Sequence, residues 1–229
     1  MTTQRNAYRA AILHSIADPK DVGLDNSYQF FDDGIIVVED GHIVDIGETE
    51  EVLARQPKDL NITEYEDKLI TSGFIDTHIH YPQTGMIASY GEQLLDWLEN
   101  YTFPEERRFK NPIYALKVAK LFFDELASNG TTTALVFGTV HKESVDVFFG
   151  EAERRNLRMI AGKVLMDRNA PDYLTDTPES GYEASKELIE RWHNRGLSLK
   201  QIRSCRRIER WMIRLSPETQ KNKNMKIIK

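Results

Sequence analysis

The sequence predicts an α/β chain in which a small β-rich module precedes a parallel sheet with crossover helices. Three observations predict it. Residues 1–70 read mostly as short β-branched runs. From Thr71 onward, strand and helix alternate three times. The helices of that series carry start and stop residues at their ends. Such an alternation builds either a doubly wound sheet or a (β/α)8 barrel, and the pattern alone leaves both open.

The elements follow in order. YRAAILHSIAD is apolar and strand-like. In GIIVVEDGHIVDIG two β-branched runs flank Asp40-Gly41, a pair that tolerates the positive φ angles of a tight hairpin turn. EEVLARQP reads as a short helix stopped before Pro57, and DKLITSGFIDTHIH as strand. In PIYALKVAKLFFDELASNG, Pro112 stands at a helix start and Gly130 just past its end. Ile113, Leu116, Ala119, Phe122, Phe123 and Leu126 mark its apolar stripe. TTTALVFG is a buried-looking strand, KESVDVFFGEAERRN a helix, LRMIAGKVLMD a strand and TPESGYEASKELIERWHNRG a helix.

Composition narrows the class. The 229 residues are 40% hydrophobic, enough for a sizeable core, and carry a formal net charge of −6, which argues against a general nucleic-acid binder. No apolar run approaches the roughly 20 residues that span a bilayer, and MTTQRNAYRA has no continuous apolar core of the signal-peptide type. A single cysteine, Cys205, excludes an intrachain disulfide framework and suits the cytoplasm. The charge is uneven. Residues 197–229 hold ten basic and two acidic residues, a balance of +8, against −14 for the rest. Leu199, Ile202, Cys205, Ile208, Met212 and Leu215 predict a basic amphipathic helix there, where a fourth strand is due.

The chemistry centres on TSGFIDTHIHYPQTG. Side chains alternate across a strand, so Asp76, His78 and His80 share one face. Two neutral imidazoles at that spacing can bind one divalent cation, zinc above all, with Asp76 placed to orient a ligand. In a β/α fold the site lies at the carboxyl ends of the strands, where His80 stands. A His-x-His pair alone also occurs on ordinary strands; Gly73, Asp76 and the strand–helix series that follows set this one apart. Gln83, in the next loop, offers a donor and an acceptor to a heterocycle edge, or simply a solvated amide. His14, His42 and His193 read as surface or satisfied core residues, while His141 follows a strand at the functional end. Lys163 invites comparison with bridging lysines of two-metal hydrolases, although its apolar flanks favour a paired structural role. Trp97, Tyr101, Phe103 and Phe109 read as a pocket wall or as core.

GFIDTHIHYPQ, LLDWLENYTFPEERRF, NGTTTALVFGTVH and GKVLMDRNAPDYL, in that order, resemble the guanine deaminase family of the amidohydrolase superfamily. The resemblance runs from about residue 8 to 196, and LLDWLENYTFPEERRF is its most specific element. It implies a partial (β/α)8 barrel, the first three βα units in 71–196, preceded by part of a small β-sandwich in 1–70. It also implies zinc-dependent hydrolysis of guanine to xanthine and ammonia, one zinc per site, and homodimeric subunits. His78 and His80 match the first two zinc ligands, Gln83 matches a glutamine that binds the purine, and His80 faces the substrate as well. The family's Arg-Phe contact, third His with its Glu, further His and metal-binding Asp have no counterpart here, so no proton-shuttling catalytic residue is expected in this chain. Residues 197–229 depart from the family pattern and read as a truncated or frameshifted end, with the chain itself inactive. Two rival readings remain: an amidohydrolase acting on another heterocycle, or a non-catalytic fragment whose basic tail binds a partner or a membrane surface.

Overall fold

The computed structural model describes residues 5–193, residue 195 and residues 199–200. The chain divides into two compact units, with the change at Ser72–Gly73.

The first unit is built on one four-stranded sheet, ordered β3-β2-β1-β4. Strand β1 spans Arg5–Ser15. A short helix α1 (Pro19–Val22), capped by the Asp18 carboxylate, leads to β2 (Tyr28–Glu39) and β3 (His42–Glu48). The β2–β3 hairpin turns at Asp40 and Gly41, with φ of 49° and 79°, the left-handed pair that matches strand twist. Helix α2 (Thr49–Ala54) sets Val52 against Ala7, Ile35 and Val37, the core of this unit. Strand β4 (Asn61–Thr71) returns parallel to β1. Where the sequence predicts part of a β-sandwich, the described residues form one sheet layer backed by a helix. Arg9 binds Asp33 in a bidentate pair at 2.7 and 2.8 Å, tying β1 to β2 on the surface.

DKLITSGFIDTHIH reads as one strand in sequence, but it divides at Ser72-Gly73 between the two sheets. Gly73 marks the break: a Cβ there would lie 2.2–2.7 Å from the Thr132 side chain, so only glycine passes.

The second unit is a parallel sheet, ordered β5-β6-β7-β8, laced by crossover helices. Strand β5 is Phe74–His80. It runs into a 3-10 turn, Tyr81–Met86. Next come α3 (Leu94–Trp97), a π-helical turn (Leu98–Thr102) and α4 (Phe103–Arg108). Helix α5 (Pro112–Ser128) starts under an Asn111 cap, and Gly130 takes φ 77° just beyond its end. Strand β6 is Thr131–Phe137, α6 Lys142–Arg154, β7 Arg158–Gly162, and α7 Pro178–Trp192, opened by a Thr177/Ser180 capping box.

The α5 stripe differs in detail from the one predicted. Ala115, Val118, Ala119, Phe122, Phe123 and Leu126 are buried, while Ile113, in the first turn, is exposed. The inward face therefore coincides with the predicted stripe from Ala119 onward and differs in the first two turns, where Ala115 and Val118 replace Ile113 and Leu116. These residues join Ala134 and Val136 of β6, Phe148 and Phe149 of α6, and Met159 of β7 in the main core. The predicted amphipathic helix also meets a correction: Leu199–Lys200 forms β8, paired in parallel with Ile160 and Ala161. Hydrogen bonding along β7 takes precedence there over the helical spacing of apolar residues. The rest of that expected helix lies outside the described residues. The strand–helix alternation thus yields a partial barrel wall rather than a closed sheet. Among the described residues no helix is long and apolar enough to cross a membrane.

Candidate functional site

The site is at the carboxyl ends of β5, β6 and β7. His78 and His80 come together as their spacing predicts, with ring centroids 5.4 Å apart and planes tilted by 50°. The strand beneath them is not regular. Asp76 pairs with Ala134 and Ile79 with Val136, so β5 spends three residues where β6 spends two. The Oδ1 of Asp76 accepts the His78 backbone N–H at 2.9 Å. A carboxylate thus replaces the ladder partner at an irregularity of the bulge type, a device that re-aims side chains. Asp76 acts on the backbone that carries His78, two residues along its own strand.

Phe137, the last residue of β6, lies against both imidazoles, 4.8 Å from His78 and 4.6 Å from His80, nearly parallel to the latter. Burial, and after it the neighbouring His78, push the His80 imidazole down to about 4, so at neutral pH its ring is uncharged and keeps a lone pair in its plane. Two rings bound to one tetrahedral zinc at about 2.1 Å per nitrogen would stand about 5 Å apart, close to the observed spacing. Among the described residues no third His, Cys, Asp or Glu joins them in a metal-holding group. The donor set present fits part of a zinc site.

Gln83 lies half-buried in the 3-10 turn that follows His80. The turn is anchored by Tyr81, whose hydroxyl donates to the Ser144 carbonyl at 2.7 Å and whose ring sits among Phe109, Phe122 and Phe148. Of the four aromatic residues noted in the sequence, Phe103 is buried in a second apolar cluster with Leu98, Phe137, Val140, Val164, Met166 and Leu174, and Trp97 packs on it. That cluster borders the imidazoles through Phe137. Phe109 belongs to the main core, and Tyr101 is exposed.

Lys163, next after β7, is buried and paired: its Nζ donates to Asp176 at 2.7 Å and to the Val164 carbonyl at 3.0 Å. Burial lowers its pKa, and Asp176 opposes that shift. The Asp176 N–H in turn donates to the Met166 carbonyl at 2.7 Å, folding residues 163–176 back on themselves. His141 precedes α6 near the same strand ends; its Nε2 is buried with no hydrogen-bond partner among the described residues, and burial lowers its pKa. The Nδ1 of His14 is likewise buried and unpartnered, so the expectation of a satisfied group does not hold there. His42 Nδ1 lies 3.1 Å from the Asp40 carbonyl, and His193 ends α7.

Sequence reasoning missed Phe137, Glu106 and Asp176. Glu106, on α4, is 5% exposed, and burial alone raises its carboxyl to about 8. A Glu inside the apolar-flanked FPEERRF run was the available signal.

Comparison with known proteins agrees with this arrangement. The chain is 50% identical over 191 residues to guanine deaminase of Escherichia coli strain K12, covering 83% of this chain and 43% of that protein. The crystal structure of guanine deaminase from Bradyrhizobium japonicum superposes with a TM-score of 0.79 at 41% identity, covering 86% of this chain and 43% of that one. Guanine deaminase from C. acetobutylicum, with guanine bound in its active site, gives 0.73 at 27% identity over 87% and 46% of the two chains. The chain therefore spans less than half the length of these relatives. The model of the amidohydrolase family matches residues 69–204, which holds all of β5 through β8 and continues past Gly196. This protein belongs to the amidohydrolase family.

Proposed function

We propose that this chain carries the first portion of a zinc-dependent guanine deaminase, a hydrolase that converts guanine to xanthine and ammonia in purine catabolism. The observation that carries the reading is the His78–His80 pair: two imidazoles 5.4 Å apart at a parallel strand end, next to the turn that holds Gln83. The 50% identity to a guanine deaminase across this segment supports guanine over other heterocycles.

In this reading His78 and His80 hold the metal, and Asp76 fixes the main chain of His78 beneath it. A bound zinc would lower the pKa of a water toward about 7 and so furnish a nucleophile at neutral pH. His80 serves because burial keeps it unprotonated. It also flanks the substrate. The Gln83 amide offers a donor and an acceptor to the purine edge. Phe137 covers one side of the imidazoles with apolar surface. Catalytic zinc takes three protein ligands, and deamination needs a group that carries protons. Beside these two imidazoles the reading therefore requires a further ligand and a proton carrier. A cytoplasmic setting and paired subunits belong to the same reading.

The test joins residues 1–196 to the remaining part of the E. coli relative. The chimaera should bind zinc and convert guanine to xanthine, followed by ultraviolet absorbance, and H78A or H80A should abolish both. A folded chimaera that binds zinc yet hydrolyses adenine or a triazine instead of guanine would replace the substrate. One that binds no metal would remove the reading.

A further inference from the structure

Phe137 meets both imidazoles, and the roles given above to His78, His80 and Gln83 do not themselves call for a phenyl ring there. We infer that Phe137 is a positioning residue for the pair: its ring, fixed at the end of β6, sets the orientation of His78 and His80 before a metal arrives. The inference rests on the metal-binding reading given above.

The main chain that carries Phe137 is fixed from both sides. Phe137 is paired with His80 of β5 and with Gly162 of β7, so it stands directly beside the second histidine in the ladder. The next residue, Gly138, donates its N–H to the Gly162 carbonyl at 3.1 Å. A Cβ on Gly138 would come within 3.0 Å of that oxygen, so the two strand ends approach as only glycine permits. The side chain is 3% exposed, held among Leu98, Phe103, Val140, Val164, Met166 and Leu174. A ring so enclosed has one arrangement available.

Its geometry towards the histidines is selective. The Phe137 and His80 planes lie 17° apart at 4.6 Å, a stacked contact, whereas His78 meets it at 46° and 4.8 Å. A stacked phenyl occupies the face of an imidazole and offers it no hydrogen bond. The ring nitrogens, whose N–H and lone pair lie in the ring plane, are left at the edge for other partners. Both rings press on the same phenyl, which fixes their mutual angle as well. A pair ordered in advance loses less rotamer freedom when a cation binds, and affinity rises accordingly.

The experiment uses the 229-residue chain and Co2+ as a visible-absorbing probe. Four proteins are compared: wild type, H80A, F137L and F149L, the last making a similar loss of ring volume in the main core, away from Tyr81. F137L should bind Co2+ at least about tenfold more weakly, the size of effect seen when groups that orient metal ligands are lost. Its bound Co2+ spectrum should change, and the metal-free His80 ring-proton resonances should move as the phenyl ring current disappears. F149L should lower the melting temperature while leaving Co2+ affinity and the His80 resonances as in wild type. Equal losses of affinity in F137L and F149L, or unmoved His80 resonances in F137L, would overturn the inference. Co2+ binding in wild type that H80A abolishes and F137L leaves intact would end the role of Phe137 while keeping the metal site. Absence of binding in wild type would remove the metal reading, and the metal-free resonances would still decide whether Phe137 orders the rings. If F137L does not fold, F137M, closer in volume, reads the same quantities.

Discussion

Removing the Asp176 carboxylate should strand a buried ammonium, and the cost can be worked from the site. Lys163 is 1% exposed and Asp176, 2.7 Å away, is 16% exposed on its side chain. Breaking such a pair from one side typically costs 3–5 kcal/mol, because the remaining charge is desolvated without compensation. The partial exposure of Asp176 lets water approach after D176N, so the lower end, about 3 kcal/mol, is expected. For a chain of this length that corresponds to a fall in melting temperature of about 6–12 °C. The pH dependence has a defined sign. Burial lowers the folded pKa of Lys163 below that of the unfolded chain, so the folded state binds fewer protons and gains stability as pH rises. With Asp176 gone the depression deepens, and the deficit of D176N should shrink from pH 7 to pH 10. The double variant K163M/D176L, which buries no charge, should recover most of the loss. Urea unfolding at pH 7 and pH 10, with amide exchange over residues 163–176, reads all of this. A D176N penalty below about 1 kcal/mol that does not vary with pH would refute the reasoning.

Three further outcomes are expected. Burial raises Glu106 to about 8, so the folded chain keeps a proton that the unfolded chain loses, and stability falls as pH climbs through that window; E106Q should match wild type near pH 4 and exceed it at pH 9 by about 5 kcal/mol in chemical denaturation. Glu151 is pushed down to about 2, first by the Arg154 hydrogen bond and then by Arg155, so its contribution is present above its unfolded value and fades as pH falls towards 2; E151Q should cost about 1–2 kcal/mol at pH 7 and almost nothing at pH 2. Y81F removes the hydrogen bond to the Ser144 carbonyl in a dry setting, and should cost about 1 kcal/mol, seen as a lowered thermal midpoint.

What the sequence disclosed was whatever is decided locally. Asp40-Gly41 announced its hairpin because left-handed φ angles suit few other pairs. Pro112 and Gly130 bounded α5 by chemistry that acts within a turn. His78 and His80 met because two residues along a strand return to one face, a relation that survived the irregular ladder. The hidden parts were set at a distance. Lys163 finds Asp176 thirteen residues on, across a fold-back with no period. Phe137 looked like any buried strand residue, since which strand lies beside β6 is a tertiary fact. The division of DKLITSGFIDTHIH between two sheets left only Gly73 as a trace, because strand propensity is unbroken on both sides. Leu199–Lys200 followed the edge of β7 against their own helical spacing, as neighbours often override propensity.

The Asp76 carboxylate that closes on the amide two residues later makes Asp-Thr-His a self-contained cassette. The main-chain bend is written within three consecutive residues, while the ring that packs on the imidazoles comes from the adjoining strand. Grafting a His-x-His motif onto a foreign sheet would therefore require the aspartate to travel with it. A donor scaffold given the histidines alone would restore strict pairing and turn the first of them to a different bearing.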